Sequence, residues 1–483
     1  MTEHLAIDLG AESGRAIRGR LDGDRLSLRE VSRFATRTVR LPDGLHWDVV
    51  DLFTALRDAI AQAPAAATVG IDTWGVDYGL VDRGGALLGL PFHYRDRRTE
   101  TMIERAFSRV PREELYAATG IQTLPINTIF QLLAEGGGAA LSVADRLLLM
   151  PDLLAFWLTG RPTNEITAAS TTGLLDARTG RWAHALIERL GLPTGMFGEL
   201  VEPGAVIGPV LPMHAVGHAV DVLAVAGHDT AAAFAAAPLR GRDAVIISSG
   251  TWSLVGMEID APKLDPQADR FELTNERGVD GTTRLLHNVM GLWLVQECRR
   301  AWGDTDYEEL DRLAEAAVAE TPLFDPDATS LLAPGDMPRR LADACTELGQ
   351  SAPRARGDLV RAILTSLACK YRLVVERLEL VTGTSARTLH VLGGGARNRL
   401  LCRLTADLAG RPVIAGPVEA SAIGNVLVQA RARGALATLE DMRAVVAGSL
   451  HTDVHLPAPR RDRWEEIYGR FLDVTGLAVE VAA

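Results

Sequence analysis

LAIDLGAESGR, residues 5–15, is an apolar run that carries an aspartate, Asp8, and then breaks into small residues before Arg15. Such a segment is either an ordinary hairpin, with Asp8 bonded to its own turn, or a loop shaped to hold a phosphate. The pattern returns near mid-chain in DAVIISSGTWSLVGMEID, residues 243–260, with Ser248, Ser249, Gly250 and Thr251 in the turn. One hairpin alone reads as structural. A matched pair favours an internal duplication, with two turns gripping one polyphosphate from two sides.

Size and composition agree with two α/β domains. The chain has 483 residues, too many for one compact core, and 47% of them are hydrophobic. Its net charge of -12 disfavours a nucleic-acid partner. No apolar run is long enough for a membrane span, and no leader precedes the first strand, so a cytoplasmic protein is expected. Cys298, Cys345, Cys369 and Cys402 form no CxxC pair, which fits a reducing compartment and gives no zinc site. Lysine occurs only at Lys263 and Lys370, neither in a GxxxxGK loop nor in a VAIK-like strand. A nucleotide would therefore be held by backbone amides, helix ends and arginine.

The expected domains are 1–240, 241–455 and a C-terminal helix within 456–483 that packs back on either. Strands are expected through residues 4–40, a helix over 48–62 capped by Asp48, and mostly helix over 99–160. Further helices are expected near 288–302, 305–320, 356–382 and 461–475, with strand, glycine loop and helix around GGGARN, residues 393–398.

The chemistry sits in the loops. Asp8 suits Mg2+, directly or through water, because Mg2+ takes few carboxylates. Arg15 suits the neutralisation of a transferred phosphoryl group. In AGHDT, residues 226–230, Asp229 stands between an apolar strand and an alanine-rich helix. It is either a helix N-cap or a general base taking the proton from a substrate hydroxyl. His228 reads as a polar neighbour able to bond a sugar hydroxyl. In DTWGVDY, residues 72–78, Gly75 admits a ligand to the backbone, whereas Trp74 reads as core or as the wall of a sugar pocket. YRDRR, residues 94–98, reads as a solvated ion-pair face. HNVMGLWLVQE, residues 287–297, reads as a helix whose Asn288 and Gln296 are ligand contacts or merely exposed.

These motifs, with GHDTAAA, SSGTWSL and GPVEASAIGN, resemble in order and over nearly the whole chain the FGGY family of carbohydrate kinases. The closest likeness is to its L-rhamnulose-phosphorylating branch. The resemblance implies two ribonuclease-H-like domains of the actin and hexokinase type flanking a nucleotide cleft. It implies phosphorylation of the C1 hydroxyl of L-rhamnulose by ATP with Mg2+, in L-rhamnose catabolism. By position, Ala11, Glu12, Ser13, Gly14 and Arg15 match the first ATP-phosphate loop. Thr251, Gln296 and Gly394 match further nucleotide contacts. Gly75, His228, Asp229, Thr230 and Asn288 match sugar contacts, and Asp229 matches the proton acceptor. Glu12 departs from the family's serine or threonine, and is expected to point away from the triphosphate or toward the metal. The alternatives are a kinase for another ketose or pentitol such as L-fuculose, or a non-catalytic actin-like ATP-binding module. No nucleic-acid or membrane partner is expected, and a monomer is expected ahead of a homodimer.

Overall fold

A computed structural model describes residues 2–214, 216–303, 305–317 and 321–479. The chain divides into two compact units. The first comprises Met1–Pro238, Glu258–Leu285 and Ala420–Leu450, and the second Leu239–Met257, Leu286–Glu419 and His451–Ala483.

The first unit is built on a six-stranded sheet. Its strand order is Val206–Pro209, Asp221–Leu223, Ala66–Thr73, Glu3–Leu9, Ser13–Asp22 and Arg25–Ala35. Glu3–Leu9 pairs parallel with Ala66–Thr73 and antiparallel with Ser13–Asp22. It is buried from His4 onward, as its continuous apolar run requires of a strand covered on both faces. Helix Val49–Ala61 starts where Asp48 accepts the Asp51 amide at 3.1 Å.

Helix Ala420–Ala432 comes from late in the chain and packs on strands Glu3–Leu9 and Ala66–Thr73. Its buried polar residues fit a matching row in the sheet. Asn425 Nδ2 donates to Asp72 at 2.6 Å, Gln429 Nε2 to the Leu5 carbonyl at 3.0 Å, and Thr68 Oγ1 to Gln429 Oε1 at 2.6 Å. Gly70 makes room for them, since a Cβ there would lie 2.5 Å from Asn425 Oδ1. Helix Leu439–Ser449 joins the same unit, where Ser449 Oγ accepts the Leu26 amide at 2.9 Å.

Within residues 99–160 the helices are interrupted by strand Arg146–Leu149, which pairs antiparallel with Tyr78–Val81. The mostly helical expectation missed it because a strand of four residues, one arginine and three leucines, carries no period of its own. Behind this pair Leu132, Leu147, Leu174, Ile187 and Leu190 form a closed apolar cluster.

The second unit repeats the local plan of the first. Strand Ala244–Ser249 pairs antiparallel with Ser253–Ile259 and parallel with Thr388–Leu392, and the sheet continues through Val413–Ala415 to Asp453–His455. Helix Arg356–Thr382 is its central element. Helix Asp462–Thr475 docks on it, with Tyr468 Oη donating to Glu376 at 2.6 Å and Arg372 to Glu465 at 2.7 Å.

The helix expected over 288–302 is shorter. Residues 287–289 end the strand Thr283–Val289, and the helix runs Trp293–Ala301. Gly291 forms the bend, pressed so closely to Trp252 that a Cβ would lie 2.6 Å from its carbonyl carbon. The helix expected over 305–320 runs Tyr307–Ala316, and residues 318–320 lie outside the described residues. All four cysteines are buried, and burial raises their thiols above the ordinary range. Among the described residues no helix is long and apolar enough to cross a membrane.

Candidate active site

In the first unit, strand pairing sets Asp8 directly opposite Arg15 and beside Asp72. Arg15 Nε lies 3.1 Å from Asp8 Oδ2. The turn between them is closed by the Gly10 amide on the Ser13 carbonyl at 3.1 Å. Thr36 braces it from outside, through its hydroxyl on the Gly10 carbonyl at 2.8 Å and its amide on the Glu12 carbonyl at 3.1 Å. Ala11, Glu12 and Ser13 remain half-buried at its tip. Gly14 is small for a packing reason, because a Cβ would enter the Phe34 ring at 2.3 Å.

Asp72 is a member of this group that the sequence reading passed over. It is fully buried, with one oxygen on Asn425 and Oδ1 without a hydrogen-bond partner. Burial first, then the neighbouring Asp8 charge, raise its carboxyl well above the usual range, and the Asp229 charge adds to the effect. Its signal was an aspartate closing an apolar strand, as in LAID. Two carboxylates side by side near the ends of two neighbouring strands supply the hard oxygen donors a divalent cation prefers. Among the described residues no set of three or more acidic, histidine or cysteine side chains forms a complete metal cage.

The loop 226–230 is held from below by Glu165. Glu165 Oε2 accepts the Gly227 amide at 2.9 Å, the Ala168 amide at 3.0 Å and the Thr167 hydroxyl at 2.6 Å. Thr167 Oγ1 in turn accepts the His228 amide at 3.2 Å. The Gly227 carbonyl accepts the Thr73 amide at 2.9 Å, which ties this loop to the end of the Asp72 strand.

Asp229 opens helix Asp229–Ala235, but the N-cap position belongs to His228, and neither side chain caps the backbone. The Asp229 carboxylate meets the Thr230 hydroxyl at 3.1 Å and His228 Nε2 at 3.5 Å, both on Oδ1, and is 30% exposed. It is therefore oriented yet reachable. His228 has partners the sequence reading did not supply: Glu276 Oε2 at 3.3 Å and Arg284 Nη2 at 3.2 Å from Nδ1. Both come from a segment some 50 residues further along, with no local pattern pointing back to His228.

Gly75 sits against Thr171, whose hydroxyl accepts the Val76 amide at 3.0 Å. A Cβ on Gly75 would lie 2.9 Å from that hydroxyl. Val76 has a φ of 69°, a conformation costly for a β-branched residue, and the Thr128 hydroxyl holds its carbonyl at 2.5 Å. Gly75→Ala is expected to push Thr171 off the Val76 amide; with Gly75 a sugar contact, as the family resemblance implies, the sugar KM rises several-fold and the ATP KM stays near parental. Paired saturation curves for the two substrates check this.

Trp74 is core. Its ring lies 4.1 Å from that of Trp47, and both indole N–H groups donate to Asp77, at 2.9 and 2.6 Å. The YRDRR segment is not the solvated face expected of it. Arg98 is largely buried on Glu135 at 2.9 Å and over the Phe92 ring at 3.7 Å, whereas Arg97 is exposed. The aromatic run PFHY beside it makes this edge a wall of the core.

Burial raises Glu165 from 4.5 to about 7 and Asp77 from 3.8 to about 6. The folded protein thus keeps protons that the unfolded chain releases at those pH values. Their contribution to stability is complete below the unfolded values and is lost as pH rises toward 7, by at most about 1.4 kcal/mol per pH unit for each group. Urea midpoints from pH 5 to 8 are expected to fall more steeply for the parent than for Glu165→Gln. Parallel slopes would contradict this.

In the second unit, the turn after Ser249 is closed by the Gly250 amide on the Trp252 carbonyl at 2.8 Å. The carbonyls of Gly250 and Thr251 accept the Leu292 and Trp293 amides at 3.0 Å each, so Thr251 sits at the start of the helix that carries Gln296. Gln296 Oε1 is buried without a hydrogen-bond partner. Gly394 is exposed with open space beside it, at the start of a single 3-10 turn. The following helix is already capped by Asn398 on the Leu401 amide at 2.8 Å, which removes a bare helix end as a phosphate platform. Asn288 lies near the end of its strand. That end is fixed by Asp327, which accepts the Met290 amide at 2.7 Å and pairs with Lys370 at 3.0 Å.

The N-terminal domain profile of the FGGY family of carbohydrate kinases matches residues 4–235, and the C-terminal domain profile matches residues 245–433. A rhamnulokinase from Bacteroides thetaiotaomicron is 41% identical over 477 residues, spanning 97% of this chain and 98% of that protein. One from Enterococcus faecalis is 38% identical over 486 residues, spanning 98% of each. The ligand-bound xylulose kinase from Lactobacillus acidophilus has the same fold, with a TM-score of 0.78 at 16% identity over 98% of both chains. So does the Plasmodium falciparum glycerol kinase with ADP, with a TM-score of 0.78 at 15% identity over 99% of both. With both domain profiles matched along one polypeptide and relatives this similar over almost its full length, the chain belongs to the FGGY family of carbohydrate kinases.

Proposed function

We propose that this kinase transfers the terminal phosphoryl group of ATP to the C1 hydroxyl of L-rhamnulose, giving L-rhamnulose 1-phosphate and ADP. The near full-length similarity to rhamnulokinases supports the substrate. The observation that carries the chemistry is Asp229, a carboxylate oriented through one oxygen, partly exposed, and not used as a helix cap.

In this reading Asp229 accepts the proton as the C1 oxygen attacks phosphorus in line. Gly75, His228, Thr230 and Asn288 hold the sugar. The turn Ala11–Arg15 with Thr251, Gln296 and Gly394 holds the nucleotide, and the buried, unpartnered Gln296 oxygen supports that assignment. Gly75, His228, Asp229, Thr230 and the turn Ala11–Arg15 belong to the first compact unit and Thr251, Gln296 and Gly394 to the second; the expected boundaries 1–240 and 241–455 follow chain order, whereas Glu258–Leu285 and Ala420–Leu450 join the first unit. Mg2+, when bound, neutralises phosphate charge, and Asp8 beside Asp72 would hold it. Arg15 stays near the transferred group through its pair with Asp8. The enzyme is taken to act as a cytoplasmic monomer.

A ketose panel with coupled ADP detection tests this. L-rhamnulose is expected to give the highest kcat/KM, ahead of L-fuculose and D-xylulose. Equal or better turnover of another ketose would move the substrate assignment, and sugar-independent ADP release would favour a non-catalytic ATP-binding module.

A further inference from the structure

His228 lies in a buried charged chain that sugar binding alone does not require. Arg284 is fully buried, and its Nε donates to the Arg277 carbonyl at 2.9 Å. Its Nη2 is 3.0 Å from Glu276 Oε2 and 3.2 Å from His228 Nδ1, while that Glu276 oxygen is 3.3 Å from the same Nδ1. On the other side of the ring, Nε2 faces Asp229 Oδ1 at 3.5 Å, at the outer edge of hydrogen bonding.

Three proton arrangements are open to the ring. A neutral ring with hydrogen on Nδ1 donates to Glu276. It then turns the Nε2 lone pair on the Asp229 carboxylate and an N–H on the Arg284 guanidinium, which can only donate. A doubly protonated ring satisfies both carboxylates but sets a second cation against buried Arg284. A neutral ring with hydrogen on Nε2 accepts from Arg284 and offers its hydrogen to Asp229, leaving Glu276 to balance the guanidinium. This last arrangement leaves the Nδ1 lone pair 3.3 Å from Glu276 Oε2, a contact without hydrogen-bond geometry, but it uses the bond from Arg284 Nη2 to Nδ1 at 3.2 Å and gives Asp229 a donor without adding charge.

We propose that Arg284, held by Glu276, is a positioning residue that fixes His228 in the Nε2–H form. The His228 hydrogen and the Thr230 hydroxyl then steer Asp229 Oδ1 and leave Oδ2 turned to the substrate hydroxyl. The inference rests on Asp229 being the proton acceptor, as in the preceding section.

The first test is the nitrogen NMR spectrum of full-length, ligand-free protein with labelled histidine, the His228 signals being assigned by their loss in His228→Gln. A protonated Nε2 with a bare Nδ1 is expected. A protonated Nδ1, alone or with Nε2, overturns the proposal. The second test is Arg284→Met/Glu276→Gln, which removes both buried charges together. Its kcat is expected to fall about 10- to 100-fold with the L-rhamnulose KM near parental, and its His228 signals to lose the parental pattern. Unchanged kcat, or a loss carried by KM alone, overturns the proposal. Should the double variant not fold, the parental spectrum still decides. A failure of the kinase reading would appear separately, as absence of ketose-dependent ADP release by the parent.

Discussion

Asp229→Asn is expected to bind ATP and L-rhamnulose with near-parental affinity while turnover falls on the order of 10²–10⁴-fold, the usual contribution of a positioned general base. Asparagine has the same shape, and its carbonyl oxygen still accepts from Thr230, at 3.1 Å in the parent. What it loses is the ability to take a proton. The substitution therefore separates binding from chemistry. Calorimetric titration of each substrate, beside coupled ADP release at saturation, reads the two quantities independently. Turnover close to the parent would remove Asp229 as the base. Lost binding with proportionate activity would mark it as a contact only.

The largest effect on stability is expected at Arg443. Its guanidinium grips Glu258 with two bonds, at 2.8 and 3.1 Å, and a third reaches the Phe234 carbonyl at 3.3 Å. All three groups belong to the first unit, and both charged side chains are buried. Arg443→Ala leaves the Glu258 carboxylate buried and unpaired, a situation that costs about 3–5 kcal/mol. Against a total stability of roughly 5–15 kcal/mol for an ordinary domain, that is a large fraction. Arg443→Met/Glu258→Gln, which removes both charges, is expected to recover much of the loss. Urea denaturation of parent, single and double variants gives the comparison. A single variant within about 1 kcal/mol of the parent would show the pair to be solvated, in the range of surface ion pairs.

What the sequence disclosed was whatever a short window contains. LAID followed by a small-residue turn shows a strand and a tight reversal, and Asp48 ahead of a helical period shows a cap, because both depend on neighbours a few residues away. The junction of strand and helix at Asp229 was legible for the same reason. HNVMGLWLVQE misled because its uncharged, largely apolar run from Asn288 to Gln296 fits strand and helix equally, and the bend depends on Gly291 meeting Trp252, some 40 residues earlier. Glu276 and Arg284 were invisible as partners of His228, since strand alternation places them on a face without naming what lies opposite. Asn425 and Gln429 were hidden differently. Helix Ala420–Ala432 is buried nearly all round, so its period says that it is covered and nothing about which sheet covers it.

That last helix has a consequence for biosynthesis. When the first 240 residues have left the ribosome, all six strands of the central sheet are present, but Glu3–Leu9 and Ala66–Thr73 lack the helix that covers them. Asp72 still lacks the amide of Asn425, and the notch at Gly70 is empty. Nearly two hundred more residues must be translated before the missing piece arrives. The strand Glu3–Leu9 therefore gains its cover late, and a fragment of residues 1–240 expressed alone is expected to need a separately supplied segment containing Ala420–Ala432 to reach its native form.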